Sequence, residues 1–260
     1  MHVRPGQPRR LRRSARLCRG PGTCYEDIRG GGLLLGYRRD GFRRETLITT
    51  SDGQSCTLTP KSLRFAFSLP PRGEWSVTVD VAVASDMLGD TRTRRRADSG
   101  FETMKARGAA ALEAWRTHLP TVTSDWVPLV ETYRQGVADL AALRLPVNAP
   151  LGPFVPAAGL PWFMCLFGRD SIITSYEALP FAPELAEATL RTLALMQART
   201  IDDFRDAQPG KIMHESRGGE LTAFEERPHS PYYGSVDATP LFLILFRRVR
   251  AVVGRRSTRL

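Results

Sequence analysis

The 260-residue sequence predicts a β-rich first domain followed by an α-helical second domain, rather than one mixed βαβ sheet. Three observations carry that expectation. Between residues 63 and 83 apolar side chains recur at every second position, the period of a strand with one buried face. From residue 98 the period lengthens to steps of three and four, the period of an amphipathic helix. The helical segments then come in pairs, joined alternately by tight turns and long polar loops. A barrel of helical hairpins needs that alternation, because its long loops gather at one end and build a site there.

Taken in order, residues 1–29 hold eight arginines and two acids without periodicity and predict a disordered basic segment, closed by Gly30-Gly31-Gly32. Leu33–Tyr37 and Glu45–Thr49 read as strands around the turn Arg39-Asp40-Gly41. Ser51–Pro60 reads as a polar loop. Leu63, Phe65, Phe67 and Leu69 alternate, as do Trp75, Val77, Val79, Val81 and Val83, with Pro70-Pro71-Arg72-Gly73 between them. That pattern predicts an antiparallel hairpin with one buried face. Residues 30–90 are therefore expected to form a partial β-sandwich.

Residues 98–246 are expected to be helical. Ser99 and Glu102 fit a capping box, and Phe101, Met104, Gly108, Leu112, Trp115 and Leu119 form a stripe that Pro120 stops. A second helix starts near Asp125, with Trp126, Val130, Tyr133, Val137 and Leu140 on one face, and ends by Pro146. Asn148–Gly168 is a loop rich in Pro, Gly and aromatics. Helices follow at 170–179 and 183–199, the latter opened by Pro183 with Glu184 and Glu187 early. Residues 200–235 form a long polar loop, and a last helix runs from Val236 into a basic tail at 247–260.

The net charge of +10 is carried by the ends: residues 247–260 add six arginines and no acid. The middle is slightly acidic, which argues against a nucleic-acid partner. No apolar run is long enough to span a bilayer, and the Arg-rich start has no apolar core of a secretory signal. Cys18, Cys24, Cys56 and Cys165 are too few for a disulfide scaffold and are expected to be reduced, in a cytoplasmic protein.

Several chemistries are set aside. There is no G-x-S-x-G elbow and no phosphate-loop glycine pattern. His214-Glu215 opens like H-E-x-x-H, but position 218 is Gly, so the zinc-protease spacing fails. No metal or other cofactor is expected.

What remains is three clusters in the long loops. The first is Gly159-Leu160-Pro161-Trp162-Phe163 with Phe167-Gly168-Arg169-Asp170-Ser171. Aromatics can stack on a pyranose face, while Arg169 and Asp170 donate to and accept from vicinal hydroxyls. Equally, Asp170 can cap the helix with Arg169 bridging to it. The second cluster runs from Asp202, Asp203 and Asp206 through Lys211, His214, Glu215 and Arg217; Asp202, Asp203 and Glu225-Glu226 suit a solvated face. The third is Tyr232-Tyr233-Gly234-Ser235-Val236-Asp237, where Asp237 is either a helix N-cap or a carboxylic acid at the mouth of the barrel.

The runs GLPWF (159–163), LFGRDS (166–171), PGKIMHESRGGE (209–220) and YYGSVDATPLF (232–242) together resemble the bacterial amylo-α-1,6-glucosidase, or glycogen-debranching, family. That family shares an (α/α)6 toroid with glucoamylase-like, six-hairpin glycoside hydrolases. Gly36–Ser51 resembles its N-terminal β-sandwich domain, so the resemblance covers about 36–246 and neither basic end. It implies a hydrolase of α-1,6-linked glucose in glycogen or branched oligosaccharides, working by inversion with two carboxylates. It further implies that Asp237 is the general acid and that Arg169 and Asp170 hold glucose hydroxyls. Trp162, Phe163, His214, Glu215, Tyr232 and Tyr233 would shape the sugar pocket. The general base of such barrels lies far along a longer domain, so this chain is expected to be a truncated product with acid and clamp but no base. The rival readings are a carbohydrate-binding remnant without turnover and, on the Arg-rich ends, a nucleic-acid-binding protein.

Overall fold

A computed structural model describes residues 21–50, 56–85, 101–147 and 154–257. The chain divides into two compact units, Met1–Ala109 and Ala110–Leu260.

The first unit is built on a four-stranded antiparallel sheet in the order β1-β2-β3-β6. Its strands are β1 (Thr23–Arg29), β2 (Gly32–Arg39), β3 (Phe42–Thr50) and β6 (Val79–Ser85). The β2–β3 hairpin forms as its turn residues predict, with Asp40 at φ 47°. The glycine run does not end a disordered segment: Gly30 and Gly31, at φ 57° and 75°, turn β1 into β2. Two successive positive φ values are the requirement of a tight hairpin turn, and glycine meets it without a Cβ clash. Ordered structure therefore begins before residue 30.

Two further expectations are corrected. Part of the polar segment is strand: β4 (Cys56–Thr59) pairs with β5 (Ser62–Phe65), Leu58 opposite Leu63. The expected hairpin between 63–69 and 75–83 does not form. Pro70–Gly73 does turn, with the Gly73 amide donating to the Pro70 carbonyl at 2.9 Å. Phe67 and Trp75 stack, ring centres 4.1 Å apart. However, β5 takes β4 as its partner and β6 takes the free edge of β3, with Ile48 opposite Val81. Alternation marks which face a strand shows, not which neighbour it chooses. Val79, Val81 and Val83 then lie exposed on an edge strand rather than forming a buried face.

Across β1–β3 one contact explains a small residue. A Cβ at Gly36 would strike the Tyr25 ring. The ring lies over Gly36, and its hydroxyl donates to Glu45 Oε1 at 2.8 Å. Glu45 is buried, so this bond satisfies a carboxylate that water does not reach. Burial and the neighbouring Glu45 raise the Tyr25 pKa. Cys24 is disulfide-bonded, correcting the all-reduced expectation, while Cys56 and Cys165 are free thiols.

The second unit packs helices α2 (Val127–Ala142), α3 (Gly168–Ala178), α4 (Pro183–Leu195) and α6 (Ala238–Ser257), with the single turn α5 (Glu220–Ala223) in the loop before α6. The boundary between the units falls within the residues of helix α1 (Phe101–Arg116). Ser99 of the expected capping box lies outside the described residues. Trp115 and Leu119 of the predicted stripe are buried with Val137, Ala178, Ala182 and Leu185. A larger core joins Ile172, Leu190, Leu193, Ile212, Met213 and Leu245. Trp126 departs from its expected face: it precedes α2 at the N-cap position and is exposed.

Helices α3 and α4 meet through Ser175 and Thr189, whose hydroxyls are 2.9 Å apart and fully buried. The loops contain short ribbons, β7 (Arg144–Pro146) with β8 (Phe154–Pro156), and β9 (Leu166–Phe167) with β10 (Glu215–Ser216). Ser171 on α3 donates to the Pro156 carbonyl at 2.6 Å, tying the helix to β8. Among the described residues the helices do not close into a toroid. No helix among them is long and apolar enough to cross a membrane.

Candidate functional site

The site begins with a close approach. A Cβ on Gly168, the first residue of α3, would press into the Met213 carbonyl oxygen. Its amide donates to the His214 carbonyl at 2.8 Å. The strand β9 thus passes directly into α3 while lying against β10. On the other side of β10, Tyr232 and Glu215 exchange backbone bonds. Three segments distant in sequence, 166–168, 214–216 and 232, therefore form one small sheet. Thr239 in the first turn of α6 accepts from the Ile212 amide at 3.0 Å, which holds that helix beside the same strands.

At the helix starts, Arg169 Nη1 donates to Asp237 Oδ2 at 2.8 Å. Ser235 Oγ donates to Asp237 Oδ1 at 2.6 Å and accepts from the Ala238 amide at 3.2 Å. Asp237 occupies the position before the helix, but Ser235, not Asp237, caps Ala238 with its side chain. Both Asp237 oxygens accept a bond, and these bonds, Ser235 first and Arg169 second, hold its pKa below the usual carboxylate value. Arg169 is raised in turn by the bond to Asp237. Asp170 stands in the first turn of α3; the ion pair that Arg169 makes is with Asp237.

The second group surrounds Glu215, which is only 7% exposed. Arg217 Nε donates to Glu215 Oε2, and His229 Nε2 lies 3.4 Å from Oε1. His214 is flanked edge-on by the rings of Phe167 and Tyr232, and its Nδ1 is buried without a partner among the described residues. The Tyr232 hydroxyl donates to Asp206 Oδ2 at 2.7 Å, which raises the phenol pKa.

Tyr233 corrects the pocket expectation. It is buried in the core, its hydroxyl donating to the Met196 carbonyl at 2.7 Å, with burial raising its pKa. Trp162 is the opposite case, 79% exposed, with Phe163 exposed beside it. These two form an open aromatic surface rather than a pocket wall. The loop acids also differ from a merely solvated face. Asp202 takes the amides of Phe204 and Arg205 and the Arg205 guanidinium, which lowers its pKa, and Arg205 also reaches Glu225.

Of the residues singled out in the sequence, Arg169 pairs with Asp237, and His214, Glu215 and Tyr232 lie together on the small sheet; Ser235, Arg217 and His229 join them as partners that the sequence did not assign to them. Arg217 and Ser235 carry the signal of lying inside the motif runs, whereas His229 falls between two of them and has none. No group of three or more His, Cys, Asp or Glu among the described residues is placed to hold a metal ion.

Residues 2–80 match a family described as the N-terminal domain of (some) glycogen debranching enzymes. The match takes in the basic opening segment, which the expected limits of the resemblance had left out, and it ends within β6. No curated protein matches the chain.

Proposed function

We propose that the chain binds α-glucan and derives from a debranching-type glycoside hydrolase that releases α-1,6-linked glucose from glycogen-like polymers. The observation that carries this reading is the Arg169–Asp237 pair, 68 residues apart in sequence and joined at the starts of α3 and α6. A guanidinium offers only donors and an ionised carboxylate only acceptors. Side by side they match vicinal hydroxyls, with the exposed Trp162 and Phe163 available to stack on a sugar face. The family match of the first unit supports the same class.

The resting geometry favours binding over proton donation. A general acid needs a raised pKa, whereas Ser235 and Arg169 both keep Asp237 ionised. For Asp237 to act as the acid of an inverting hydrolase, substrate hydroxyls must draw Arg169 away and leave the carboxyl less stabilised as an anion. A non-catalytic carbohydrate-binding role is the second reading, and the observation in its favour is that Ser235 and Arg169 donate to both oxygens of Asp237.

Calorimetry with a branched dextrin tests both. R169A and D237N should each weaken binding by about tenfold or more, the effect of losing a hydrogen bond to a charged group. Unchanged affinity in both variants would overturn the reading. Glucose release by the native chain, abolished in D237N, would select the hydrolase over the binding role.

A further inference from the structure

Arg217 makes contacts that the glucan reading does not use. Its guanidinium has five donors in a rigid fork. On one side, Nε is paired with Glu215, whose carboxylate is almost wholly buried. The Arg217 backbone amide donates to the His229 carbonyl at 2.6 Å, and His229 closes on the other Glu215 oxygen. This side of Arg217 is fixed by a buried charge that has to keep its partner.

On the other side, Nη1 donates to the Trp162 carbonyl at 3.2 Å. The guanidinium carbon lies 5.4 Å from the centre of the Phe163 ring and 5.3 Å from that of Phe167, within cation–π range. The loop it touches is also held at its far end, where Phe163 meets Phe167 edge-on with ring centres 6.0 Å apart and the Cys165 amide donates to the Phe163 carbonyl at 2.7 Å. Gly159 and Phe163 exchange one pair of backbone bonds, while Leu160 and Trp162 project into solvent.

We propose that Arg217 is the positioning residue of the aromatic surface, transferring the fixed geometry of β10 to the 159–163 loop so that Trp162 presents a constant face to the glucan. The inference rests on the glucan reading for its ligand, though not for the contact itself. Arg217 acts through Trp162. Lysine is a poor substitute, because one ammonium can pair with Glu215 yet lacks the planar fork that reaches the Trp162 carbonyl at the same time.

The test uses the whole chain and the R217K variant, which keeps Glu215 paired so that the protein still folds. Amide hydrogen exchange is measured over residues 160–163, alongside affinity for a branched dextrin. R217K should exchange the Phe163 amide several-fold faster, with exchange in α3 and α4 unchanged. It should also weaken dextrin binding by about fivefold, a coupling typical of contacting residues. The same loss should appear in W162A and should not grow in the W162A/R217K double variant. Unchanged exchange at Phe163, or losses that add in the double variant, would overturn the positioning role. A native chain that fails to bind dextrin would sink the glucan reading instead, and the exchange measurement would still decide whether Arg217 holds the loop.

Discussion

Gly168 stands where β9 becomes α3, and the Met213 carbonyl fills the space a side chain needs there. G168A should cost about 1–3 kcal/mol, the usual effect of forcing extra volume into a packed position, read as a lower urea midpoint. Asp237 makes a prediction with a sign. Its folded pKa is depressed by Ser235 and Arg169, so its contribution is fully present above the unfolded carboxylate value of about 3.9. That contribution is lost as the pH falls through the lower folded value. The native chain should therefore exceed D237N in stability at pH 7, and the gap should shrink in denaturation measured near pH 3. The sequence left Asp237 open between helix cap and free acid. It sits at the cap position, but the choice of Ser235 as the capping side chain depends on the bend between residues 235 and 238, which no spacing rule encodes.

At the level of elements, the contact between α3 and α4 turns on two hydroxyls. S175A leaves the Thr189 hydroxyl buried without its partner and should destabilise by about 1–3 kcal/mol. Adding T189V removes the orphaned group, so the double variant should recover part of that loss in urea titrations. Failure to recover would show that packing, not hydrogen bonding, sets the cost. The helix α2 was legible from its apolar stripe of Val130, Tyr133, Val137 and Leu140, and α4 from Pro183 followed by Glu184 and Glu187 at its start. The β2–β3 hairpin was legible because its turn residues sit between two strands that pair with each other. The pairing of β5 and β6 was not, since 63–69 and 75–83 alternate equally well against any neighbour. The prolines at 70 and 71 lack the amides to continue a ladder, and each strand found another partner.

On the scale of the whole molecule, the +10 charge first suggested two basic ends foreign to the rest. The family match instead includes the opening segment, and β1 belongs to the sheet of the first unit. The candidate site was legible as a set of loop motifs, because their polar residues have no role in a periodic face. Its internal pairing was not, since Glu215 with Arg217 and Arg169 with Asp237 are chosen by the register of three short strands. The second unit also leaves Leu243, Ile244 and Phe246 exposed along α6. Grouped apolar side chains on a surface favour association. L243K/F246K should lower the sedimentation coefficient at high concentration while leaving the thermal midpoint near that of the native chain. An unchanged sedimentation profile would remove this face as a source of self-association.

The Arg169–Asp237 bond has one more consequence, because it bridges the first turn of α3 and the cap position of α6, two helices that carry the core. A helix advances about 1.5 Å per residue, so a slip of α6 against α3 by a single residue is enough to part a contact of 2.8 Å. The carboxylate of Asp237 is consequently a ruler for helix registry. Its carbon chemical shift, followed through an acid titration, reads out in one nucleus whether the two helices keep their alignment when temperature, ligand or a distant substitution disturbs the unit.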